Sequence, residues 1–134
     1  MIFDLYSNMS ENYTAIQINT PNKENDYYLI ELKSNNGPDE GAYLLDNNFN
    51  GGILIEHIFP VDEIYTDEYN DFSYKITYKV IAEKNEKDLP IQQNVLFAQS
   101  TNSLTYKNNF FQMDIIDINE ANEFYTIKIT FINN

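Results

Sequence analysis

The most regular pattern in the chain is a row of apolar residues at every second position of residues 72–83. The row consists of Phe72, Tyr74, Ile76, Tyr78, Val80 and Ala82, and it alternates with Ser73, Lys75, Thr77, Lys79, Ile81 and Glu83. Because alternate side chains of a strand point to opposite faces, this pattern predicts a β-strand with one buried face. We therefore expect the strand to anchor the core, and replacement of Ile76 or Tyr78 by Ala to destabilise the fold by about 2–5 kcal/mol.

Similar alternation predicts strands in other parts of the chain. The predicted strands cover residues 2–6, 13–18, 27–33 and 53–59, and residues 42–45 fit a short edge strand. Near the C-terminal end, residues 110–118 and 124–132 flank the turn-rich segment 119–123, so they are predicted to form an antiparallel hairpin.

Two segments are compatible with more than one structure. In residues 60–72, apolar residues recur at helical spacing after Pro60, which suits the start of a helix, but the many acids also fit a loop. Residues 88–99 fit either a short helix capped by Asp88 or a strand over residues 95–99.

About eight strands with spacings near ten residues, and no long helical pattern between them, predict a mainly β fold. We expect an antiparallel β-sandwich or a small barrel with at most one or two short helices, because parallel strands would need crossover helices. A length of 134 residues suits a single domain.

The amino-acid composition excludes several classes of protein and site. The 43% of hydrophobic residues and 15% of aromatic residues are typical of a folded chain, and the absence of Cys excludes disulfides and thiolate sites. The first residues lack the basic and apolar regions of a signal peptide, and no apolar run is long enough for a membrane span. We therefore expect a cytoplasmic protein.

The net charge of −13 and the absence of Arg argue against binding to nucleic acid or to anionic membranes, because phosphate groups would be repelled. Nine acids and no Lys lie in residues 34–74, interleaved with aromatic residues. Charge accelerates the encounter with a basic protein, and buried aromatic side chains supply affinity. The predicted partner-binding residues are Asp39, Glu40, Phe59, Asp62, Glu63, Tyr65, Asp67, Glu68, Tyr69 and Asp71.

Other uses of these residues remain open. The acids could form a solvated surface without a partner, or the cluster from Asp62 to Asp71 could bind calcium, although no Asp-x-Asp-x-Asp-Gly loop is present. His57, the sole histidine, is predicted to pack beside Ile53, Ile55 and Phe59. It could serve a hydrolase with Ser73 or Ser100, but no nucleophile-elbow motif supports this. We expect no enzyme activity, metal or cofactor.

In size, charge and expected compartment, the chain resembles the small acidic immunity proteins that neutralise basic nuclease toxins of competing bacteria. The resemblance implies a protein that covers the cationic cleft of a toxin and blocks the entry of its substrate. A phage-encoded inhibitor of a host nuclease would act by the same physics. The alternative is a non-catalytic β-module that binds carbohydrate through exposed Tyr residues or belongs to a phage or secretion assembly.

Overall fold

The computed structural model describes residues 1–7, 10–33, 52–69, 72–83, 96–97 and 104–132, and these residues form strands and turns without a helix. The strands are β1 (Ile2–Tyr6), β2 (Ala15–Asn19), β3 (Tyr27–Lys33), β4 (Gly52–Thr66), β5 (Ser73–Ala82), β6 (Leu96–Phe97), β7 (Thr105–Lys107), β8 (Phe111–Asn119) and β9 (Phe124–Phe131). No helix in this part of the chain has the length and apolar character needed to cross a membrane.

The strands form two antiparallel sheets. Sheet I has the order β1-β9-β8-β7, and sheet II has the order β2-β3-β4-β5, with β6 beside β4. Apolar side chains from both sheets form one core, as is typical of a β-sandwich. The predicted mainly β, antiparallel fold is therefore confirmed.

The core follows from alternating rows in strands of both sheets. In sheet II, Ile30 of β3 lies opposite Ile55 of β4, and both side chains are fully buried. In sheet I, Met113 of β8 lies opposite Ile129 of β9, and both are buried. Among the residues that the structure describes, the other buried apolar residues are Leu5, Ile18, Tyr28, Leu32, Ile53, Tyr106, Phe111, Ile115, Tyr125 and Ile127.

The predicted C-terminal hairpin is confirmed as β8 and β9. Its turn is closed by the side chain of Asn119, whose Oδ1 accepts a hydrogen bond from the backbone N–H of Asn122 at 3.0 Å. Glu123, the last turn residue, has a φ of 58° in the left-handed region.

The prediction of a short helix or a loop over residues 60–72 is wrong for most of this segment. β4 continues through Pro60 to Thr66 and pairs with β5. Pro60 is tolerated because the pairing of β4 with β3 ends at Ile58, so no ladder bond to β3 is lost. A β-bulge lies between Pro60 and Glu63.

β5 forms where the alternating row predicts it, but the expected burial of that row is wrong. His57 stacks on Tyr28, which belongs to the core, and Ile81 is the partner of His57 across the β4–β5 ladder. Ile81 and its alternate neighbours therefore lie on the core-facing side of sheet II. The apolar row of residues 72–82 consequently lies on the outer face.

Most of this row is exposed. Tyr74 is 51% exposed, Tyr78 is 48% exposed and Val80 is 57% exposed, whereas Ile76 is partly buried. Ile81, on the other face of β5, is also 40% exposed, so the face assignment rests on the pairing with β4. Because Ile76 and Tyr78 lie outside the core, the loss of about 2–5 kcal/mol predicted for their truncation does not apply. We call Phe72, Tyr74, Ile76, Tyr78 and Val80 the outer row.

Several predictions fall outside the described residues. These are the edge strand at residues 42–45 and the predicted partner-binding residues Asp39, Glu40 and Asp71. The helix or strand over residues 88–99 is described only at Leu96–Phe97, where the backbone forms β6.

Candidate functional site

The hairpin of β4 and β5 extends past the strand that flanks it. β3 pairs with β4 as far as Ile58, whereas β4 continues for eight more residues to Thr66. In this extension β4 pairs with β5 alone, as far as the structure describes the chain. We call residues 59–66 and 73–79, with the turn between them, the hairpin arm.

Exposed aromatic side chains cluster at the end of the hairpin arm. The rings of Tyr65 and Tyr74 lie on paired positions of β4 and β5, with their centroids 5.0 Å apart. Phe72 stacks on Tyr74 with a centroid distance of 6.2 Å and an interplanar angle of 14°. Tyr69, in the turn, is 74% exposed. Contiguous exposed apolar surface of this kind commonly marks an interaction site.

Two of the predicted acids form ion pairs along the arm. Asp62 lies 3.5 Å from the Nζ of Lys75, and Glu63 lies 2.9 Å from the Nζ of Lys79. Both pairs are exposed, and such pairs contribute little to stability because water screens them. Their carboxylates remain at the surface, where they shape the local potential.

Asp67 has a structural role in the turn. Its Oδ1 accepts a hydrogen bond from the backbone N–H of Phe72, and its own N–H donates to the carbonyl of Phe72, both at 3.2 Å. The side chain therefore closes the turn that carries the exposed aromatic residues. Glu68 follows it and is exposed.

The structure brings five predicted partner-binding residues together on the hairpin arm, namely Asp62, Glu63, Tyr65, Glu68 and Tyr69. Asp67 lies with them and closes the turn. Phe59, the first residue of the arm, lies apart from these side chains, because its ring contacts His57 with a centroid distance of 4.7 Å on the core-facing side. Sequence reasoning missed Tyr74, Tyr78 and Val80 as surface residues, because their alternation was interpreted as a buried face.

The hairpin remains acidic despite its two lysines. Over residues 52–69 and 72–83 there are six acids and two Lys, which gives a net charge of −4. Glu56 and Glu83 belong to this set, and burial raises the pKa of each carboxyl above its ordinary value. The acids nearest the aromatic cluster in the sequence and the β4–β5 pairing are those of the hairpin arm.

His57 occupies a packed position, as its alternation predicted. Its ring stacks on Tyr28 with a centroid distance of 4.4 Å and an interplanar angle of 9°. Its Nε2 lies 2.7 Å from Oδ1 of Asp26, a buried residue in the turn between β2 and β3. The imidazole therefore links β4 to that turn.

Asp26 is held in place by a second contact. The hydroxyl of Thr20 donates a hydrogen bond to the same Oδ1 at 2.5 Å. Burial raises the pKa of Asp26, but the hydrogen bonds from Thr20 and His57 and the charges of His57 and Lys23 outweigh it, so the pKa lies below its ordinary value. The carboxylate is thus stabilised in its charged form.

Of the two serines considered from sequence for a hydrolase, Ser73 does not lie beside His57. Ser73 pairs with Thr66 at the end of β5, eight residues from Ile81, the partner of His57. At about 3.3 Å per residue, this separation is on the order of 26 Å. Ser100 lies outside the described residues.

A metal site is likewise not formed within the described ranges. There, no three residues of the His, Asp and Glu types are grouped to hold an ion. This holds for Asp62, Glu63, Asp67 and Glu68, whereas the calcium prediction also included Asp71, which is not described.

Comparison of the chain with protein-family models, with curated proteins and with solved structures finds no match.

Proposed function

We propose that this protein is an inhibitory binding protein that recognises a basic protein partner through the hairpin arm. The observation that carries the proposal is the exposed ring cluster of Tyr65, Tyr74 and Phe72, which lies on the same hairpin as the carboxylates of Asp62, Glu63 and Glu68. Neither feature is required by the core, because the arm extends past β3.

The aromatic cluster supports the proposal through its physical chemistry. Tyr and Phe bury a large area with few rotatable bonds, and they are enriched among the residues that dominate binding energy. The contact between Tyr65 and Tyr74 orders both rings before a partner arrives. Such preorganisation reduces the entropy lost on binding.

The acidic residues support the proposal through electrostatic attraction. A net charge of −13 on the chain and −4 on the described hairpin attracts a basic surface over the range of a Debye length, about 8–10 Å near physiological salt. Attraction of this kind raises the association rate more than it slows dissociation. The acids are therefore expected to set the association rate, and the aromatic rings are expected to set the dissociation rate.

The proposed class of partner is a basic nuclease toxin, as for the immunity proteins that the chain resembles in size and charge. The arm and its acids occupy the cationic cleft that otherwise binds nucleic acid, and the substrate is excluded. In this proposal the protein acts in the cytoplasm, where the toxin would meet its nucleic acid.

The proposal is tested by co-expression with the product of the adjacent gene, followed by purification and measurement of the dissociation rate. The double variant Tyr65→Ala/Tyr74→Ala is expected to dissociate at least about tenfold faster than the parent. Phe131→Ala is the matched control, because Phe131 is 50% exposed, close to the exposure of Tyr74, but lies on sheet I. Unchanged dissociation of the double variant, or an equal effect of the control, refutes the proposal.

A second candidate function is carbohydrate binding. The nearly parallel and exposed rings of Phe72 and Tyr74 resemble the aromatic platforms on which sugar rings stack. Saccharide binding would be insensitive to ionic strength, because it does not depend on the acids. Titration with soluble oligosaccharides at low and high salt separates this function from binding to a basic protein.

A further inference from the structure

β5 is the last strand of sheet II in the described part of the chain. It pairs with β4 along one side from Ser73 to Ala82, and none of the described strands lies along its other side. An edge strand of ten residues presents a row of N–H and C=O groups that can receive a further strand.

The pairing with β4 identifies which backbone groups point to the open side. The N–H of Glu83 donates to the carbonyl of Ile55 at 2.8 Å. Because bonded and non-bonded pairs alternate in an antiparallel ladder, the intervening residues direct their backbone groups away from β4. The N–H groups of Tyr78, Val80 and Ala82 therefore point to the open side of β5.

The usual protections of an edge strand are weak along β5. It contains no Pro, and the β-bulge lies on β4, where two residues oppose one of β5. Its two lysines are drawn towards β4 by their ion pairs with Asp62 and Glu63. The side chains of the outer row lie beside this edge, and all of them except that of Ile76 are exposed.

The net charge of the chain indicates which kind of strand can pair with the open edge of β5. A second copy of the chain would bring another −13 and a second acidic arm, so like charges would oppose the pairing. A basic segment is attracted instead, and Arg is favoured over the outer row because its guanidinium stacks on aromatic rings. Small polar residues suit the opposite face, where Lys75 and Lys79 lie.

We propose that the basic partner adds an extended segment to the open edge of β5 as a further β-strand, with apolar residues and Arg over the outer row. This inference rests on the proposed function, because it describes how the same partner is recognised. It specifies backbone pairing, which neither the acids nor the aromatic cluster requires.

The probe is the synthetic peptide Thr-Val-Thr-Arg-Thr-Val-Thr-Arg with blocked ends. At saturation, it should slow amide hydrogen exchange of Tyr78, Val80 and Ala82 by about tenfold or more, because these N–H groups become bonded. If the peptide binds antiparallel to β5, methylation of the backbone nitrogens of Val and Arg should weaken binding by at least about tenfold, whereas methylation of the backbone nitrogens of Thr should be tolerated. If the peptide binds parallel to β5, methylation at Thr should weaken binding and methylation at Val and Arg should be tolerated.

Val80→Pro tests the same contact from the side of the protein. It removes an N–H that points away from β4 and should weaken peptide binding by at least about tenfold while circular dichroism remains unchanged. Val80→Thr is the control, since it keeps the N–H and a β-branched side chain. Equal binding of the two variants overturns the inference, and if Val80→Pro unfolds, the methylated peptides decide the question.

The outcomes separate this inference from the proposed function. Equal binding of both methylated peptides, or no exchange protection at β5, overturns strand addition and leaves acid-driven recognition standing. If these amides become protected from exchange as the protein concentration rises in the absence of peptide, a second copy of the chain pairs with β5. That result also overturns the addition of a partner strand. The proposed function is refuted by separate results, such as binding of the adjacent gene product that does not depend on Tyr65 and Tyr74.

Discussion

The imidazole of His57 lies 2.7 Å from the buried carboxylate of Asp26, although 31 positions separate the two residues in the chain. The same carboxylate oxygen accepts the hydroxyl hydrogen bond of Thr20. Because β4 begins the hairpin that carries the candidate surface, this contact ties the base of the hairpin to the turn before β3. A polar network of this kind stabilises one arrangement of the surrounding turn.

The first prediction concerns the pH dependence of this network. The pKa of Asp26 is lower in the folded chain, so its contribution is present above the unfolded pKa of about 3.9 and is lost as pH falls through the folded pKa. Asp26→Asn should lower the free energy of unfolding by about 1–3 kcal/mol at pH 7. Urea unfolding should show this difference shrinking below about pH 4, and a difference that stays constant between pH 6 and pH 3 contradicts the assignment.

The second prediction concerns the buried tyrosines. Burial raises the pKa of Tyr125 to about 12, and it also raises the pKa of Tyr28 and Tyr106. Their contributions to stability are present below the unfolded pKa of about 10 and are lost as pH rises through the folded pKa. Ultraviolet titration should show exposed tyrosines ionising first and the buried set ionising together with unfolding. Ionisation of all tyrosines near pH 10 in a folded chain would contradict the burial.

The third prediction contrasts the two faces of sheet II. Ile55→Ala should lower the free energy of unfolding by about 2–5 kcal/mol, because Ile55 is fully buried in the core. Val80→Ala and Tyr78→Ala should each change it by less than about 1 kcal/mol, because both side chains lie on the outer face. Chemical denaturation measures all three, and a loss above about 2 kcal/mol at Val80 would show that the outer row is covered.

The outer row also shows the limit of sequence reasoning. Alternation in residues 72–83 identifies a strand with two different faces, but it does not specify which face meets the opposing sheet. In β9, Ile127 and Ile129 face sheet II and are buried. In β5, the similar pattern lies on the outer face, because pairing with β4 places Ile81 on the core-facing side.

The strand from Pro60 to Thr66 was missed for a local reason. The β-bulge between Pro60 and Glu63 inserts one residue and interrupts the period of two, so that Val61 and Ile64 fall at helical spacing. Five of the residues selected from sequence by their charge and aromatic character lie together on the hairpin arm, and their binding to a partner stays a prediction. The contact of His57 with Asp26 depends on the packing of distant segments and leaves no local pattern.

The fourth prediction concerns the turn of the hairpin arm. Asp67→Ala removes the side-chain acceptor for the N–H of Phe72, so the turn should open more often. Amide exchange at Phe72 should accelerate by about tenfold, while the global free energy of unfolding changes by less than about 1 kcal/mol. Asp67→Asn keeps an acceptor oxygen and should restore slow exchange. Equal exchange in the Ala variant and the parent would show that Asp67 does not hold the turn.

The final prediction concerns the acids of the hairpin arm and uses two triple variants of equal charge change. One neutralises Asp62, Glu63 and Glu68 on the arm, and the other neutralises the exposed residues Glu11, Glu24 and Glu120 outside the hairpin. Asp67 is left intact in both, so that the turn is preserved. Both variants should remain folded, because exposed charges contribute little to stability.

The most direct measurement of the central claim is the association rate constant of each variant with the adjacent gene product across ionic strength. The arm variant should associate about tenfold more slowly than the parent at low salt, and the two rates should converge as salt rises. The control variant should retain most of the parent rate, because its acids lie outside the arm. If the arm variant associates as fast as the parent at low salt, or no slower than the control, the hairpin arm does not recognise a basic partner.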